Sequence, residues 1–254
     1  MAHTVLKANN ISIVFGGLKA VDNFSIEIKE GELVGLIGPN GAGKTTVFNM
    51  LTGVYVPTSG TVELKGEDVT KLTPHGRVKK GIARTFQNIR LFKRMSVLDN
   101  VKVASNVHMD YGIFASIFKT KKYWKQEDLA TKEAKEILEV LGLLEYEEEQ
   151  AQNLPYGKQR KLEIARALAS HPAILCLDEP AAGMNPTETE ELMETIKVVR
   201  EKFNTAILLI EHDMKLVMGI CEWIKVISFG KEIATGTPDE IKANKEVIAA
   251  YLGE

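Results

Sequence analysis

The order of apolar and polar positions along the chain predicts two kinds of element. Short runs rich in Val, Ile and Leu alternate with longer segments of helical period, and these runs read LVGLI, AILCLD, TAILLIE and WIKVISF. Uninterrupted apolar runs of this length indicate strands that are buried on both faces. Because parallel strands need a crossover connection, which is usually a helix, the alternation predicts an α/β layered core.

The N-terminal part of the chain has a different pattern. Between Val5 and Glu67 apolar and polar positions alternate, as they do around Ile26 and Ile28. Such alternation indicates strands with one buried face, which are typical of antiparallel sheets. We therefore expect antiparallel strands on either side of the first buried run, and a mixed sheet region.

A helical block is predicted between about Leu91 and Gln150. Its apolar residues recur at the helical spacing, which places them on one helix face. This face is formed by Ala130, Ala134, Ile137, Leu138 and Leu141. The block is expected to form a separate helical lobe.

Composition excludes several classes of protein. Lys and Arg number 32 against 34 Asp and Glu, so no overall basic charge favours binding to nucleic acid. The start, MAHTVLKANN, lacks the apolar core of a signal peptide, and no apolar run approaches the roughly 20 residues that cross a bilayer. These features predict a cytoplasmic chain.

Cys176 and Cys221 lie outside any CxxC spacing, which favours buried thiols over a disulfide or a zinc site.

The segment GPNGAGKTT follows the buried run LVGLI and precedes the helix-like VFNMLTGV. It fits the phosphate-binding loop pattern, in which glycines let backbone N–H groups approach phosphates at a helix N-terminus. Lys44 is predicted to neutralise the β and γ phosphates, and Thr45 to offer a hydroxyl to Mg²⁺. The alternative is a glycine turn between strand and helix. The predicted ATP-binding residues are Gly38, Pro39, Asn40, Gly41, Ala42, Gly43, Lys44, Thr45 and Thr46.

A second acidic element stands at the end of another buried run, in AILCLDEP. Asp178 is predicted to hold the magnesium shell. Glu179 is predicted to act as the general base that activates the attacking water. Alone, Asp-Glu-Pro at a strand end is as often a helix cap or a turn. Together with the glycine-rich loop it predicts ATP hydrolysis.

In the order of these elements the chain resembles the ATPase subunits of ABC transporters, over essentially its whole length. The resemblance implies an α/β fold: a P-loop ABC ATPase core with a mixed sheet, an antiparallel β subdomain and a helical subdomain. The expected boundaries within residues 1–254 are a core over 1–87 and 157–235, a helical subdomain with the signature segment over 88–156, and a C-terminal helical extension over 236–254.

The same resemblance assigns three further residues. Phe15 takes the place of the aromatic residue that stacks on adenine, with an ordinary core Phe as the alternative. Gln87, in RTFQNIRLF, takes the place of the glutamine that links the magnesium site to the helical lobe and the permease. His212 matches the histidine that contacts the γ-phosphate, with a purely structural histidine as the alternative.

The family signature, usually LSGGQ, corresponds to Leu154, Pro155, Tyr156, Gly157 and Lys158. Pro155 stands where a serine normally donates to the ATP of the partner subunit, and proline has neither a hydroxyl nor a backbone N–H. The donors that remain are the Gly157 N–H, a helix expected to begin near Lys158, and the Lys158 ammonium.

A loop that crosses the dimer interface in this family corresponds to Gly183, Met184 and Asn185. Asn185 takes the place of the usual aspartate. An amide keeps the hydrogen bonds of a carboxylate but not its charge.

Four segments are similar to the ATPases of branched-chain amino acid importers: RTFQNIRLF, the insert GIFASIFKTKKYW, the LPYG signature and the ending IAAYLGE. The alternatives are the ATPases of urea or amide importers and of lipopolysaccharide export. A soluble ABC ATPase that acts on nucleic acid is a further alternative from another class. A non-catalytic nucleotide sensor would lack Glu179 or His212, and both are present.

The resemblance also implies a setting for the chain. It implies Mg²⁺ with ATP as substrate, a second and non-identical ATPase subunit, two permease subunits, indirect action with a solute-binding protein, and no nucleic acid. The expected location is peripheral, on the cytoplasmic face of the membrane.

The insert combines apolar and basic residues, and it has two interpretations. It could rest on the permease or on an anionic leaflet, or it could be a solvated helical excursion with its apolar side packed inward. The residues concerned are Ile113, Phe114, Ile117, Phe118, Lys119, Lys121, Lys122 and Lys125.

Overall fold

The computed structural model describes residues 3–108 and 117–252. The chain forms two compact units. The first consists of Met1–Gln87 with Ala173–Glu254, and the second of Asn88–Pro172.

All strands named here belong to the first unit and form two sheets. In chain order they are β1 (Thr4–Phe15), β2 (Leu18–Lys29), β3 (Leu33–Ile37), β4 (Ser59–Leu64), β5 (Glu67–Asp68), β6 (Ile82–Arg84), β7 (Ile174–Asp178), β8 (Ala206–Ile210), β9 (Trp223–Ser228) and β10 (Lys231–Gly236). One sheet has the order β2-β1-β4-β5 and is antiparallel. The other has the order β10-β9-β3-β8-β7-β6 and is parallel except for the β9–β10 pair.

The helices lie in both units. They are α1 (Lys44–Leu51), α2 (Pro74–Lys80), α3 (Val97–Ser105), α4 (Lys121–Val140), α5 (Tyr156–Leu168), α6 (Pro186–Phe203), α7 (Met214–Ile220), α8 (Pro238–Ala243) and α9 (Lys245–Leu252). Short 3₁₀ turns occupy Asn106–His108, Leu144–Tyr146 and Ala151–Asn153.

The apolar runs predict the central strands correctly. Every residue of β3, β7 and β8 is buried, as expected for parallel strands covered on both faces. The fourth run differs, because β9 lies beside the edge strand β10 and its first residue, Trp223, is 45% exposed. The mixed sheet and the separate antiparallel sheet confirm the predicted architecture.

One apolar core joins the two sheets of the first unit through α1. Phe48 of α1 is fully buried in a cluster that also contains Phe24 of β2 and Leu208 of β8. This packing fixes the helix that follows the glycine-rich loop relative to the ends of the parallel strands.

The second unit is the predicted helical lobe. Helices α3, α4 and α5 pack against one another. The apolar face that the sequence predicts on α4 is buried from Ala130 to Leu141.

The second boundary of this lobe differs from the one expected at residue 156. The structure divides after Pro172, because α5 packs as a whole on α3 and α4. The signature helix therefore belongs to the helical unit rather than to the core. The expected C-terminal extension over 236–254 contains α8 and α9, which are assigned to the first unit.

Part of the predicted insert lies outside the described residues, including Ile113 and Phe114. Ile117 and Phe118 are 67% and 73% exposed, so these two side chains are not packed inward. The Lys119 ammonium lies 5.7 Å from the ring centroid of Trp124.

Both cysteines are free and buried, as predicted. Burial raises the pKa of the Cys176 thiol to about 12. In the ranges 3–108 and 117–252, no helix has the length and apolar character needed to cross a membrane.

Candidate active site

The predicted phosphate loop occupies the turn between β3 and α1. Its first glycine, Gly38, has no space for a side chain, because a Cβ there would lie 2.0 Å from the Ile227 carbonyl oxygen. Gly43 immediately precedes α1 with φ 107, a conformation that favours glycine. The loop thus leads directly to a helix N-terminus, whose backbone N–H groups suit an anion.

Lys44 begins α1 and folds back over the loop. Its ammonium donates hydrogen bonds to the carbonyl oxygens of Gly38, at 2.7 Å, and Pro39, at 3.0 Å. Burial lowers the pKa of Lys44, and the nearby Glu179 carboxylate opposes that shift. A cation is therefore held inside the loop, where a phosphate would meet it.

Asp178 and Glu179 stand at the carboxyl end of β7, as the sequence predicts. Asp178 is 7% exposed, and its carboxylate lies 3.5 Å from the guanidinium of Arg84. Glu179 has a left-handed backbone conformation, with φ 46, and its N–H donates to the Ile210 carbonyl. The two adjacent carboxylates therefore have different surroundings.

Gln87 and His212 both lie beside Glu179. The Gln87 side-chain amide donates to the Glu179 carboxylate at 2.8 Å, and His212 Nδ1 lies 3.7 Å from the same oxygen. His212 is positioned through its backbone, because its N–H donates to the buried Glu211 carboxylate, which also accepts from Ala181. The structure thus brings together three residues that are far apart in sequence.

The residues assigned to Mg²⁺ are Thr45, Gln87 and Asp178. They offer a hydroxyl, an amide oxygen and a carboxylate, and oxygen is the ligand type that Mg²⁺ prefers. Among the residues that the structure describes, no group of three or more His, Cys, Asp or Glu side chains could hold a metal ion. Mg²⁺ commonly uses one or two carboxylates together with substrate phosphates and water, so this donor set fits Mg·ATP.

Phe15 ends β1 at the surface of the first unit. Its side chain is 44% exposed, which excludes the alternative of an ordinary core Phe. The ring makes an edge contact with Tyr55, at 5.3 Å between centroids and 70° between planes. The exposed aromatic surface is available to a planar ligand, although the assignment to adenine stays a prediction.

The signature residues lie in the second unit, and the helix begins two residues earlier than expected. Pro155 is the N-cap residue of α5 and provides no side-chain hydrogen bond. The Lys158 ammonium donates to the Tyr146 hydroxyl, lies 3.6 Å from that ring's centroid, and is 3.9 Å from Glu145. The predicted substitute cation is thus held within its own unit.

Asn185 forms the N-cap of α6. Its side chain accepts from the Glu188 N–H, and the Glu188 carboxylate accepts from the Asn185 N–H, both at 3.0 Å. This capping box gives Asn185 a structural role in the helix start. The dimer-interface role of Gly183, Met184 and Asn185 stays a prediction.

Sequence reasoning missed Arg84, Glu211 and Tyr55. Each acts through a partner that is distant in sequence or through its own backbone neighbours, so its role is not evident from a local motif, even though Arg84 begins the segment RTFQNIRLF. Arg84 directly precedes the TFQ segment, but only the pairing of β6 with β7 brings it to Asp178.

Comparisons with known proteins cover the whole chain. A family model described as "ABC transporter" matches residues 21–182, and one described as "Branched-chain amino acid ATP-binding cassette transporter" matches residues 231–254. The chain is 51% identical to the high-affinity branched-chain amino acid transport ATP-binding protein LivG of Salmonella typhimurium and 47% identical to BraF of Pseudomonas aeruginosa. Both alignments span 254 residues and 100% of each protein. A crystal structure of an ABC transporter ATP-binding cassette in its ADP conformation matches with a TM-score of 0.85 and 31% identity, covering 99% of both chains.

Proposed function

Because this chain belongs to the ABC transporter family, we propose that it is the ATP-binding and ATP-hydrolysing subunit that energises an importer of branched-chain amino acids. The observation that carries this proposal is the full-length identity of 51% to LivG, together with the separate match of the C-terminal residues 231–254. That C-terminal match favours branched-chain amino acids over the urea, amide and lipopolysaccharide alternatives.

The hydrolytic chemistry is assigned to residues of the first unit. Lys44 and the loop N–H groups bind the phosphates, since the Lys44 ammonium lies against the loop carbonyls and α1 begins directly after the loop. Glu179 accepts a proton from the attacking water, and the 2.8 Å bond from Gln87 holds its carboxylate in place. His212, whose Nδ1 lies 3.7 Å from the Glu179 carboxylate, contacts the γ-phosphate.

Mg²⁺, when bound, neutralises the charge that develops on the phosphate oxygens. Thr45, Gln87 and Asp178 would hold it. Phe15 supports the adenine ring through its exposed face.

The transport setting is proposed from the family. Two permease subunits and a second ATPase subunit complete the complex, and a solute-binding protein acts on it indirectly. The chain then works as a peripheral subunit on the cytoplasmic face of the membrane. The signature segment of one ATPase closes over the nucleotide of the other, so hydrolysis belongs to the pair.

Uptake into proteoliposomes tests the function. The chain is reconstituted with its permease subunits, second ATPase and binding protein, and accumulation of radiolabelled leucine, isoleucine and valine is measured with internal Mg·ATP. We expect uptake that stops when Glu179 is replaced by Gln. ATP hydrolysis without uptake of any of the three would contradict the proposed solute, and labelled urea serves as the comparison.

Fractionation of cells with and without the permease genes tests the alternative of a soluble ABC ATPase. We expect the chain to be recovered in the membrane fraction only when the permease is present. Recovery in the soluble fraction in both cases, together with binding to DNA or RNA, would favour an ABC ATPase that acts on nucleic acid.

A further inference from the structure

Arg84 occupies a defined position at the end of the edge strand β6. It pairs in register with Cys176 of β7, the strand that ends at Asp178. Its guanidinium contacts two aromatic rings, with the central carbon 4.7 Å from the ring centroids of both Phe48 and Phe86. These two cation–π contacts restrict the position of the guanidinium.

The terminal nitrogens of this guanidinium contact the C-terminal end of α1 and the carboxylate at the end of β7. One terminal nitrogen donates to Asn49 Oδ1 at 3.1 Å and to Thr52 Oγ1 at 3.0 Å, at the end of α1. The other terminal nitrogen lies 3.5 Å from Asp178 Oδ2. The Arg84 and Asp178 side chains are only 14% and 10% exposed. Arg84 therefore connects the helix that follows the phosphate loop with the carboxylate at the end of β7.

The chemistry of arginine suits this connection. The planar fork can direct one nitrogen at neutral oxygens and the other at a carboxylate, whereas a lysine ammonium acts as a single point charge. A nearly buried carboxylate is costly unless a cation or hydrogen-bond donors accompany it. Arg84 supplies that cation, and its side chain is immobilised by the two rings and by its hydrogen bonds to α1.

We propose that Arg84 is a positioning residue for the metal end of the nucleotide site, holding the Asp178 carboxylate where it can act as a ligand of Mg·ATP. This inference rests on the proposed function. The segment from Arg84 to Gln87 then contacts both adjacent carboxylates, since Gln87 donates to Glu179. One short segment thus supports the metal residue and the general base together.

The test measures nucleotide binding rather than turnover. A fluorescent ATP analogue is titrated into the purified full-length chain in EDTA and at increasing Mg²⁺. Arg84→Met keeps an apolar stem beside the rings but removes the guanidinium, and Arg84→Lys keeps the charge. Arg94→Met, at an exposed position, is the matched control. Thermal melting in EDTA verifies that each variant is folded.

In Arg84→Met we expect metal-free affinity to be unchanged and the Mg²⁺ concentration for half-maximal enhancement to rise about 10- to 100-fold, as for the loss of residues that orient metal ligands. The Mg²⁺ concentration that Arg84→Lys needs should lie between the values for Arg84→Met and the wild type. Arg94→Met should need the same Mg²⁺ concentration as the wild type. If Arg84→Met does not fold, Arg84→Lys decides the question.

Two results would overturn the inference. One is a Mg²⁺ requirement equal to that of the wild type in a folded Arg84 variant. The other is an equal loss of metal-free and Mg²⁺-dependent binding, which indicates a structural role only. If the wild-type chain itself binds no ATP, or binds it without any Mg²⁺ enhancement, the proposed function fails instead.

Discussion

Glu179 carries a full side chain in a left-handed backbone conformation, which non-glycine residues seldom adopt. Such strain persists only where neighbouring structure enforces it, and it is concentrated at functional sites. Here the neighbouring contacts are the N–H bond to Ile210 and the side-chain bond from Gln87. This turn places the Glu179 carboxylate 3.7 Å from His212 Nδ1, which is consistent with its proposed role as general base.

Replacing Glu179 with Gln should separate binding from hydrolysis. The amide keeps the size of the carboxylate but cannot accept a proton, so ATP should bind normally while turnover falls by about 10²-fold or more. Phosphate release and ATP affinity are measured on the same preparation. Glu194→Gln, on an exposed side chain, makes the same charge change and should have no effect. Wild-type turnover in Glu179→Gln would remove Glu179 from the base role.

Lys44→Ala should instead weaken ATP binding itself. It removes a charge-assisted contact to phosphate, with a cost of about 1.5–3 kcal/mol, which corresponds to roughly a tenfold to hundredfold loss of affinity. It also leaves the Gly38 and Pro39 carbonyls without their donor. Isothermal titration with ATP checks the prediction against Lys132→Ala, whose side chain is 76% exposed. Equal affinities would argue against a phosphate role for Lys44.

For individual residues, the sequence predicts functional roles only where the residue belongs to a local motif. Lys44, Asp178 and Glu179 are recognisable because each follows a buried run at a fixed spacing. Arg84 and Glu211 are not, because their partners are set by strand pairing and by backbone N–H groups. Long-range contacts of this kind leave no local pattern in one sequence.

Among the elements, the same distinction holds. Runs of five buried residues identify β3, β7 and β8, whereas β6 has only three residues and is defined by its partner β7. The sequence predicts the start of α5 near Lys158, two residues after its observed start at Tyr156, because Pro155 gives no side-chain cap to mark it. Its assignment to the helical unit depends on packing against α3 and α4, which sequence separation conceals.

Helix α5 contains a buried ion pair that also lies outside any motif. Arg160 and Glu163 are 0% and 1% exposed, and their charged atoms are 2.8 Å apart. Glu163 also accepts from the Arg90 N–H at 3.3 Å, and Arg160 lies 3.5 Å from the Tyr156 hydroxyl. The pair therefore ties the signature helix to the start of the helical unit.

Breaking this pair from one side should be strongly destabilising. Glu163→Leu leaves the Arg160 charge without its carboxylate and should cost about 3–5 kcal/mol, whereas Arg160→Met with Glu163→Leu should recover most of the loss. Urea unfolding followed by circular dichroism measures both variants. A double variant as unstable as the single one would show that contacts to Arg90 and Tyr156, rather than the charge pair, dominate.

For the whole molecule, the two halves of the proposed chemistry lie in different units. The phosphate loop, Asp178 and Glu179 belong to the first unit, and the signature belongs to the second. Under the proposed function each signature serves the nucleotide of a partner chain. The hydrogen-bond donors that the signature offers therefore affect assembly with the partner, rather than binding of the nucleotide on this chain's own loop.

We predict that this chain pairs with a non-identical ATPase. In a homodimer both signatures carry Pro155, which has no N–H or hydroxyl to donate, and both Lys158 ammonium groups are engaged by Tyr146. A missing hydrogen bond costs roughly 0.5–1.5 kcal/mol at each site, or somewhat more against phosphate, so closure should weaken several-fold per site. A partner with the usual serine would restore the site on this chain's own loop. The molar mass of the Glu179→Gln variant with Mg·ATP is measured by light scattering, and we expect monomers without the partner ATPase and dimers with it. Adding Pro155→Ser should promote homodimers. The control Pro74→Ser, at the exposed start of α2, should not. Tight homodimers that are insensitive to Pro155→Ser would show that the proline is neutral.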